Sequence, residues 1–389
     1  MNAFCSVFSQ ILKLFPRSEF EELVRESKAQ RHARGFTCWE QFVAMMFCQL
    51  GRAQSLREIC QGLASMEGKL NHLGIESAPP KSTLAYANKH RPAELFELVF
   101  ARLYQRCRAL APKHRLRFKN PLLSIDATVI ELCATVFEWA RYTRTKGAVK
   151  LHMILDHNGL LPSFCHITEA KKYDVVVARD FEFAPGTIVV FDRGYNDFTW
   201  FRSLTDQGVF FVTRLKKNTL HSVIEDRTVP QRSGVTRDAL IRLENRRLKG
   251  ESPIFRLVEY QASDGHTYTF LTNHLKFGST TIAAIYRQRW EIELFFKALK
   301  QNLRIKTFVG TSANALRVQI WSALIAILVL RYLKLRSSFG WSLSNLLAML
   351  RFNLFAYRDL WTWIDNPFSP PPQPAAIQLP LSWTASEGV

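Results

Sequence analysis

The chain has 389 residues, 47% hydrophobic and 22% charged, enough apolar material for a core and too much for a disordered or fibrous protein. Its 52 Lys and Arg against 33 Asp and Glu leave a formal charge of +19. Such an excess suits a polyanionic partner, nucleic acid first and an anionic membrane surface second, and is out of keeping with an enzyme of small metabolites.

At roughly 100–200 residues per domain, the length predicts two or three domains. The seven cysteines are scattered, with none after Cys165 and no C-x-x-C pair. They point to neither a zinc site nor a disulfide framework, and read as buried thiols in a reducing, cytoplasmic compartment. The N-terminus lacks the basic and apolar regions of a signal peptide. The most apolar run, Ile320 to Leu330, is short of the roughly 20 residues a membrane span needs, so it predicts a core helix.

Residues 1–118 predict a compact, basic, helical module. Ser18 with Glu21, Thr37 with Glu40 and Ser55 with Glu58 have the capping-box spacing, each opening an apolar-periodic segment. A further helix is expected from Pro92 to about Ala109, since proline suits a first helical position. Between them, Ser82–Arg91 carries Lys89, His90 and Arg91 and is a candidate recognition helix for DNA.

From Asn120 the period changes. Leu122–Leu132 reads as a strand, and Val149–Thr168 as a hairpin folding at Asn158-Gly159. Apolar runs at Thr187–Phe191 and Val209–Leu215, with a helix between, complete a mixed α/β sheet. Residues 217–278 are polar, basic and strand-rich, and look inserted. A long helix is expected over about 281–303, an apolar one over 313–335, further helix to about 357, and an extended Pro-rich tail from Pro367. The expected organisation is thus a 1–118 module, a core of 119–216 with 279–340, an insert of 217–278, and a 341–389 tail.

Three places carry chemistry. In Leu122–Ile130 alternation puts Asp126 on one face with Ser124 and Thr128, a costly place for a charge without compensation. Ile188–Phe191 runs into Asp192-Arg-Gly-Tyr, an acid at the carboxyl end of a strand, where open α/β sheets collect ligand-binding groups. On the 281–303 helix, Tyr286, Arg289, Glu293 and Lys300 fall within one arc about 60° wide. Trp290, Phe295 and Phe296 predict that this helix is largely buried, so the polar arc must face something specific. Each acid alone has a bland reading as a cap or a satisfied strand residue. Together, Asp126, Asp192 and Glu293 make the hard-oxygen set that a pair of Mg²⁺ ions takes in phosphoryl transfer, with Mn²⁺ able to substitute. Arg289, Lys300 and Tyr286 suit backbone phosphates.

These residues resemble the DDE transposases of bacterial insertion sequences. More narrowly, Tyr286-x-x-Arg289-x-x-x-Glu293-x-x-x-x-x-x-Lys300 is similar to the family defined by a Tyr-Arg-Glu-Lys signature. The resemblance covers about residues 120–335. It implies a ribonuclease H-like α/β core with Asp126, Asp192 and Glu293 as Mg²⁺ ligands, and Tyr286, Arg289 and Lys300 on transposon-end DNA. It also implies cleavage to a free 3′-OH and its joining to target DNA, by a dimer holding two ends. Some relatives pass through a hairpin intermediate, with a tryptophan of the insert stacking a flipped base. No tryptophan lies between Trp200 and Trp290, leaving Phe255, Tyr260, Phe270 or Phe277 for that task. A structure-specific nuclease using the same acids and a catalytically silent DNA-binding relative remain the alternatives.

Weaker candidates are Arg141, Arg144, Lys146, Lys150 and His152 beside the hairpin, as phosphate contacts or ordinary surface and packing residues. Glu131, Asp156, Asp174 and Asp197 are rival acids, none combining a buried element with a motif.

Overall fold

Residues 5–31, 35–66, 68–133, 146–244, 253–302 and 309–369 are described in a computed structural model of the chain. Six helices come first: α1 (Val7–Leu12), α2 (Arg17–Glu26), α3 (Cys38–Leu50), α4 (Leu56–Ala64), α5 (Lys81–His90) and α6 (Glu94–Leu110). Thr37 and Glu40 form the full reciprocal cap of α3. Ser55 caps α4, but Glu58 reaches back to the amide of Gln54 rather than of Ser55. Ser18 is no cap at all. Pro16 occupies that position and α2 starts one residue before Ser18, because proline has already set the backbone for helix entry. Similarly, α6 starts at Glu94, two residues later than Pro92 suggests.

These helices do not close a core of their own. They share one with α11 (Ala313–Arg336), α12 (Leu343–Asn353) and α13 (Leu360–Asp365), and with one face of the first three strands. Helix α11 is apolar all round and runs through the middle, packing on α3, α5 and α6. By length and composition it could cross a membrane, yet 83% of its most apolar window is buried inside the protein, as a core helix requires. Asn314 near its start donates to the carbonyls of Asn88 and Arg91, fixing the α5–α6 turn to it. The start of α1 is tied to the segment after α12 as well, where Val7 and Phe8 donate to the carbonyls of Ala356 and Leu354.

The strands are β1 (Leu122–Cys133), β2 (Lys146–Asp156), β3 (Leu161–Glu169), β4 (Ile188–Val190), β5 (Phe210–Arg214), β6 (His221–Asp226), β7 (Val235–Leu243), β8 (Ile254–Gln261) and β9 (Thr267–Thr272). Between β2 and β3 the chain turns at Gly159, whose φ of 72° is left-handed and suits glycine. Their order in the sheet is β3-β2-β1-β4-β5-β9-β8-β7-β6. β1, β2 and β3 pair antiparallel, while β4 and β5 run parallel to β1. Three antiparallel strands followed by two parallel to the first make a ribonuclease H-like mixed sheet. The strand-rich 217–278 segment adds β6–β9 to it rather than folding apart, because β9 pairs along the open edge of β5.

Helices α7 (Asp174–Ala178) and α8 (Phe198–Asp206) cover one face of the sheet, and α9 (Ser279–Gln288) and α10 (Trp290–Asn302) the other. The helix expected over 281–303 is therefore two helices, parted at Arg289. There the ladder tightens to i→i−3 bonds, Arg289 to Tyr286 and Ile292 to Arg289, at 3.0 and 3.2 Å. The break lets α9 lie across β4, β5 and β9 while α10 lies across β1. Arg141 and Arg144 lie outside the described residues, as do the side chain of Lys146 and the tail from residue 370.

Candidate active site

The two strand acids are brought together by register. Leu122 lies opposite Ile188, and Ser124 opposite Val190, in the parallel β1–β4 pair. Two residues beyond that last pair come Asp126 and Asp192. Alternation therefore sends both carboxylates to the same face at the same level of the sheet, Asp126 within β1 and Asp192 just past the end of β4, toward α9 and α10. Asp192 leaves β4 as the cap of a 3₁₀ turn over Arg193–Tyr195, its Oδ1 accepting from the Gly194 amide at 2.7 Å. A Cβ at residue 194 would stand 2.8 Å from that oxygen, so the Asp-Arg-Gly-Tyr turn needs its glycine for close approach.

Glu293 reaches this end from the first turn of α10. Between it and Asp126 sits Arg289, with Nη2 2.6 Å from Glu293 Oε1 and Nη1 3.6 Å from Asp126 Oδ2. The other Asp126 oxygen accepts from the Ala127 amide at 2.8 Å. Burial pushes the Asp126 carboxyl up to about 7. The Ala127 amide and Arg289 oppose that rise, and the neighbouring Asp192 and Glu293 add to it. Asp126 thus feels the other two acids, and the guanidinium is the cation that pairs with Asp126 and Glu293. Among the described residues no three His, Cys, Asp or Glu side chains close on a single point. The donors are nonetheless all carboxylate oxygens, the hard set that fits a divalent Mg²⁺-type ion rather than zinc or copper.

Tyr286 packs on Phe270 at 4.8 Å between ring centres, and the Arg289 guanidinium stands 5.7 Å from its ring. Lys300, two turns beyond Glu293, is half-buried at the far end of α10. Phe295 and Phe296 are buried, but Trp290 is 57% exposed, because it follows the helix break and borders a cavity instead of the core. That cavity, 510 Å³ in volume, adjoins Arg289 and is lined by Tyr260, Tyr268, Tyr286, Arg214 and Arg287 among others. Of the four candidate stacking rings, Phe255 is a core residue, Phe277 is stacked on His274 at 3.6 Å, and Phe270, though buried, lines the cavity wall beneath Tyr286. Tyr260 borders the cavity as well. Tyr268 was not singled out from the sequence, yet it faces the cavity with the Arg214 guanidinium 4.8 Å from its ring. Its alternation with Phe270 along one strand was the available signal.

The remaining candidates have structural work. His152 lies on β2 opposite Ala127, on the other face from Asp126, with Nε2 2.9 Å from Thr168 Oγ1. Burial and the nearby Lys150 push its imidazole down to about 3, which keeps it neutral. Lys150 pairs with Asp174 at 3.1 Å. Asp197 caps α8 and pairs with Arg179, while Asp156 is buried against the Tyr104 hydroxyl. Glu131 is exposed. On α5, Arg91 turns back to the carbonyls of Phe36 and Thr37 and is not part of the exposed face. That face consists of Lys81, Ser82, Tyr86, Lys89 and His90, with Tyr86 67% exposed and its ring centre 4.1 Å from that of His90.

Residues 117–329 match the family described as the transposase DDE domain, more than half of the chain. The chain is a DDE-family transposase. Residues 5–76 of the transposase match a second family, described only as a domain of unknown function (DUF4372). It is 33% identical over 261 residues to a putative transposase, y4zB, of Sinorhizobium fredii, covering 65% of this chain and 71% of that one. It is also 29% identical over 254 residues to a probable transposase for insertion sequence element IS5377 of Geobacillus stearothermophilus, covering 65% and 67%. Among solved structures, a piggyBac transposase synaptic complex with hairpin DNA superposes with a TM-score of 0.46 at 10% identity, over 91% of this chain and 81% of that one.

Proposed function

We propose that Asp126, Asp192 and Glu293 are the catalytic, metal-holding acids of this transposase, and that Tyr286, Arg289 and Lys300 hold transposon-end DNA against them. One observation carries this reading. Asp126 from β1 and Glu293 from α10 share a single guanidinium, with Asp192 in register on the neighbouring parallel strand, within a DDE-family domain. The acids would hold two Mg²⁺ ions, with Mn²⁺ able to substitute, and when bound these offset charge on the attacking and leaving oxygens of a phosphodiester. Arg289 offers a planar fork that matches a phosphate in two hydrogen bonds. Lys300, about 10 Å further along α10 at 1.5 Å per residue, suits a neighbouring phosphate as a point charge.

The cavity beside Arg289 is an aromatic bay for a base drawn out of the DNA end. Stacking there would contribute about 1–3 kcal/mol and hold the adjoining phosphate in place. Cleavage exposes a 3′-OH, and that hydroxyl then attacks a phosphodiester of target DNA. The exposed face of α5, with Lys89, His90 and Tyr86, is assigned to sequence recognition within a 1–118 DNA-binding module. The catalytic core is assigned to 119–216 and 279–340, with 217–278 as the inserted part and 341–389 as a C-terminal segment. The transposase acts on DNA in the bacterial cytoplasm, as a homodimer that brings two ends together.

The test is a strand assay with purified protein, Mg²⁺ and labelled DNA drawn from both flanks of its own gene. Exposure of a 3′-OH followed by joining is expected. Cleavage without joining would assign a nuclease instead, and binding without cutting a silent DNA-binding protein.

A further inference from the structure

Arg289 occupies the place where the acids must meet a metal. Asp126 has one oxygen on the Ala127 amide and turns the other to Arg289, while Glu293 turns Oε1 to the opposite end of the same guanidinium. A divalent ion held at about 2.0–2.1 Å by these same carboxylates would stand close to the guanidinium, so the two cations repel each other and compete for the same acids. The guanidinium is also no deeply sequestered structural strut. Its side chain is 15% exposed, its Nε is buried without a hydrogen-bond partner, and it stands beside an open cavity. It sits at the break between α9 and α10, where the helix ladder has already tightened.

We propose that Arg289 is the resting cation of this site and that a DNA phosphate draws it off, so that the acids take up divalent metal tightly only after the transposon end is seated. The proposal rests on the reading of Asp126, Asp192 and Glu293 as metal ligands. Its physical basis is an exchange of like for like. Carboxylate and phosphate both accept the planar fork in paired hydrogen bonds, so moving Arg289 from Glu293 to a phosphate trades one strong partner for another. The guanidinium that repels an incoming divalent ion thereby becomes part of the DNA grip. Metal loading and DNA binding are then linked, each tightening the other by the same factor. A transposase built this way carries no loaded metal site until its substrate is in position, which limits stray cutting.

The experiment follows Mn²⁺ binding by electron paramagnetic resonance, which separates free from bound ion without requiring catalysis. Wild type, Arg289→Gln and an Asp126→Asn/Glu293→Gln double variant are titrated alone and with a duplex drawn from the gene's flank. The double variant with the same duplex gives the Mn²⁺ held by DNA itself. Without DNA, Arg289→Gln is expected to bind Mn²⁺ roughly ten- to a hundredfold more tightly than wild type, the range that neighbouring groups command over metal affinity. The duplex should raise wild-type affinity by a similar factor and change Arg289→Gln little. The wild-type comparison with and without duplex needs no variant to fold. Equal affinity of wild type and Arg289→Gln without DNA, or no gain of wild type on the duplex, overturns the proposal. If instead the double variant binds Mn²⁺ as well as wild type in every state, the metal-ligand reading itself fails, and the proposal with it.

Discussion

Asp126→Asn and Glu293→Gln are each expected to lower strand cleavage by roughly three orders of magnitude or more, a barrier increase of about 4 kcal/mol, while DNA affinity measured without divalent metal is not weakened. The amides keep the shape of the carboxylates but lose the charge on which a metal site depends. The affinity for DNA should survive because, on the proposed reading, it arises from the cationic surplus of the chain and from Tyr286, Arg289 and Lys300. Stability should not be what fails. Burial and two neighbouring acids already push the Asp126 carboxyl up to about 7, so removing its charge relieves a repulsion in the metal-free protein. Single-turnover cleavage, a DNA titration and a melting curve on the same preparations check all three points. A parallel loss of cleavage, DNA binding and melting temperature would assign these acids a structural role instead.

The largest expected effect on stability lies far from that site, at Asp238 on β7 and Arg256 on β8. Arg256 Nε and Nη2 meet the two Asp238 oxygens at 2.8 and 2.6 Å, with both side chains 4% exposed, and a third Arg256 nitrogen donates to the Phe277 carbonyl. Asp238→Ala would leave that guanidinium buried and unpaired, at a cost of about 3–5 kcal/mol. In a chain of this size that lowers the melting temperature by roughly 4–6 °C. Replacing both partners together, Asp238→Leu with Arg256→Met, should recover most of the loss, because two apolar side chains leave no charge to satisfy. Thermal unfolding of the single and double variants separates the outcomes. A double variant as unstable as Asp238→Ala would mean that packing volume, and not the unpaired charge, sets the cost.

Much of this architecture is legible in the residues because local and tertiary preferences agree there. The turn at Gly159, the Thr37–Glu40 cap and the alternation through Asp126 each follow from the side chains themselves. The meeting of Asp126 with Asp192 is legible only as a motif, since register between strands so distant in sequence is a tertiary outcome. Other features escape the sequence for identifiable reasons. Ser18 has a cap spacing, but Pro16 fixes the helix start first. The unbroken polar arc from Tyr286 to Lys300 hides the break at Arg289, which comes from laying two helices on different strands of a twisted sheet. Trp290 reads as core in that arc and is exposed because of the break. The strands of 217–278 look like a separate unit, yet their backbone hydrogen bonds continue along β5. The Arg289–Asp126 pair joins a helix to a strand, and no spacing within either element reveals it.

The most direct measurement of the central claim is rescue by a thiophilic metal. Asp126, Asp192 and Glu293 are changed one at a time to Cys, and cleavage of labelled transposon-end DNA is followed in Mg²⁺ and in Mn²⁺. Wild type should cut in both. Each Cys variant should be inactive in Mg²⁺, which avoids sulfur, and at least one should recover in Mn²⁺, which accepts it more readily. Recovery identifies the replaced side chain as a metal ligand, which no loss of activity can do alone. Cys variants that cut as well as wild type in Mg²⁺ would contradict the account, because the acids would then not be holding the metal.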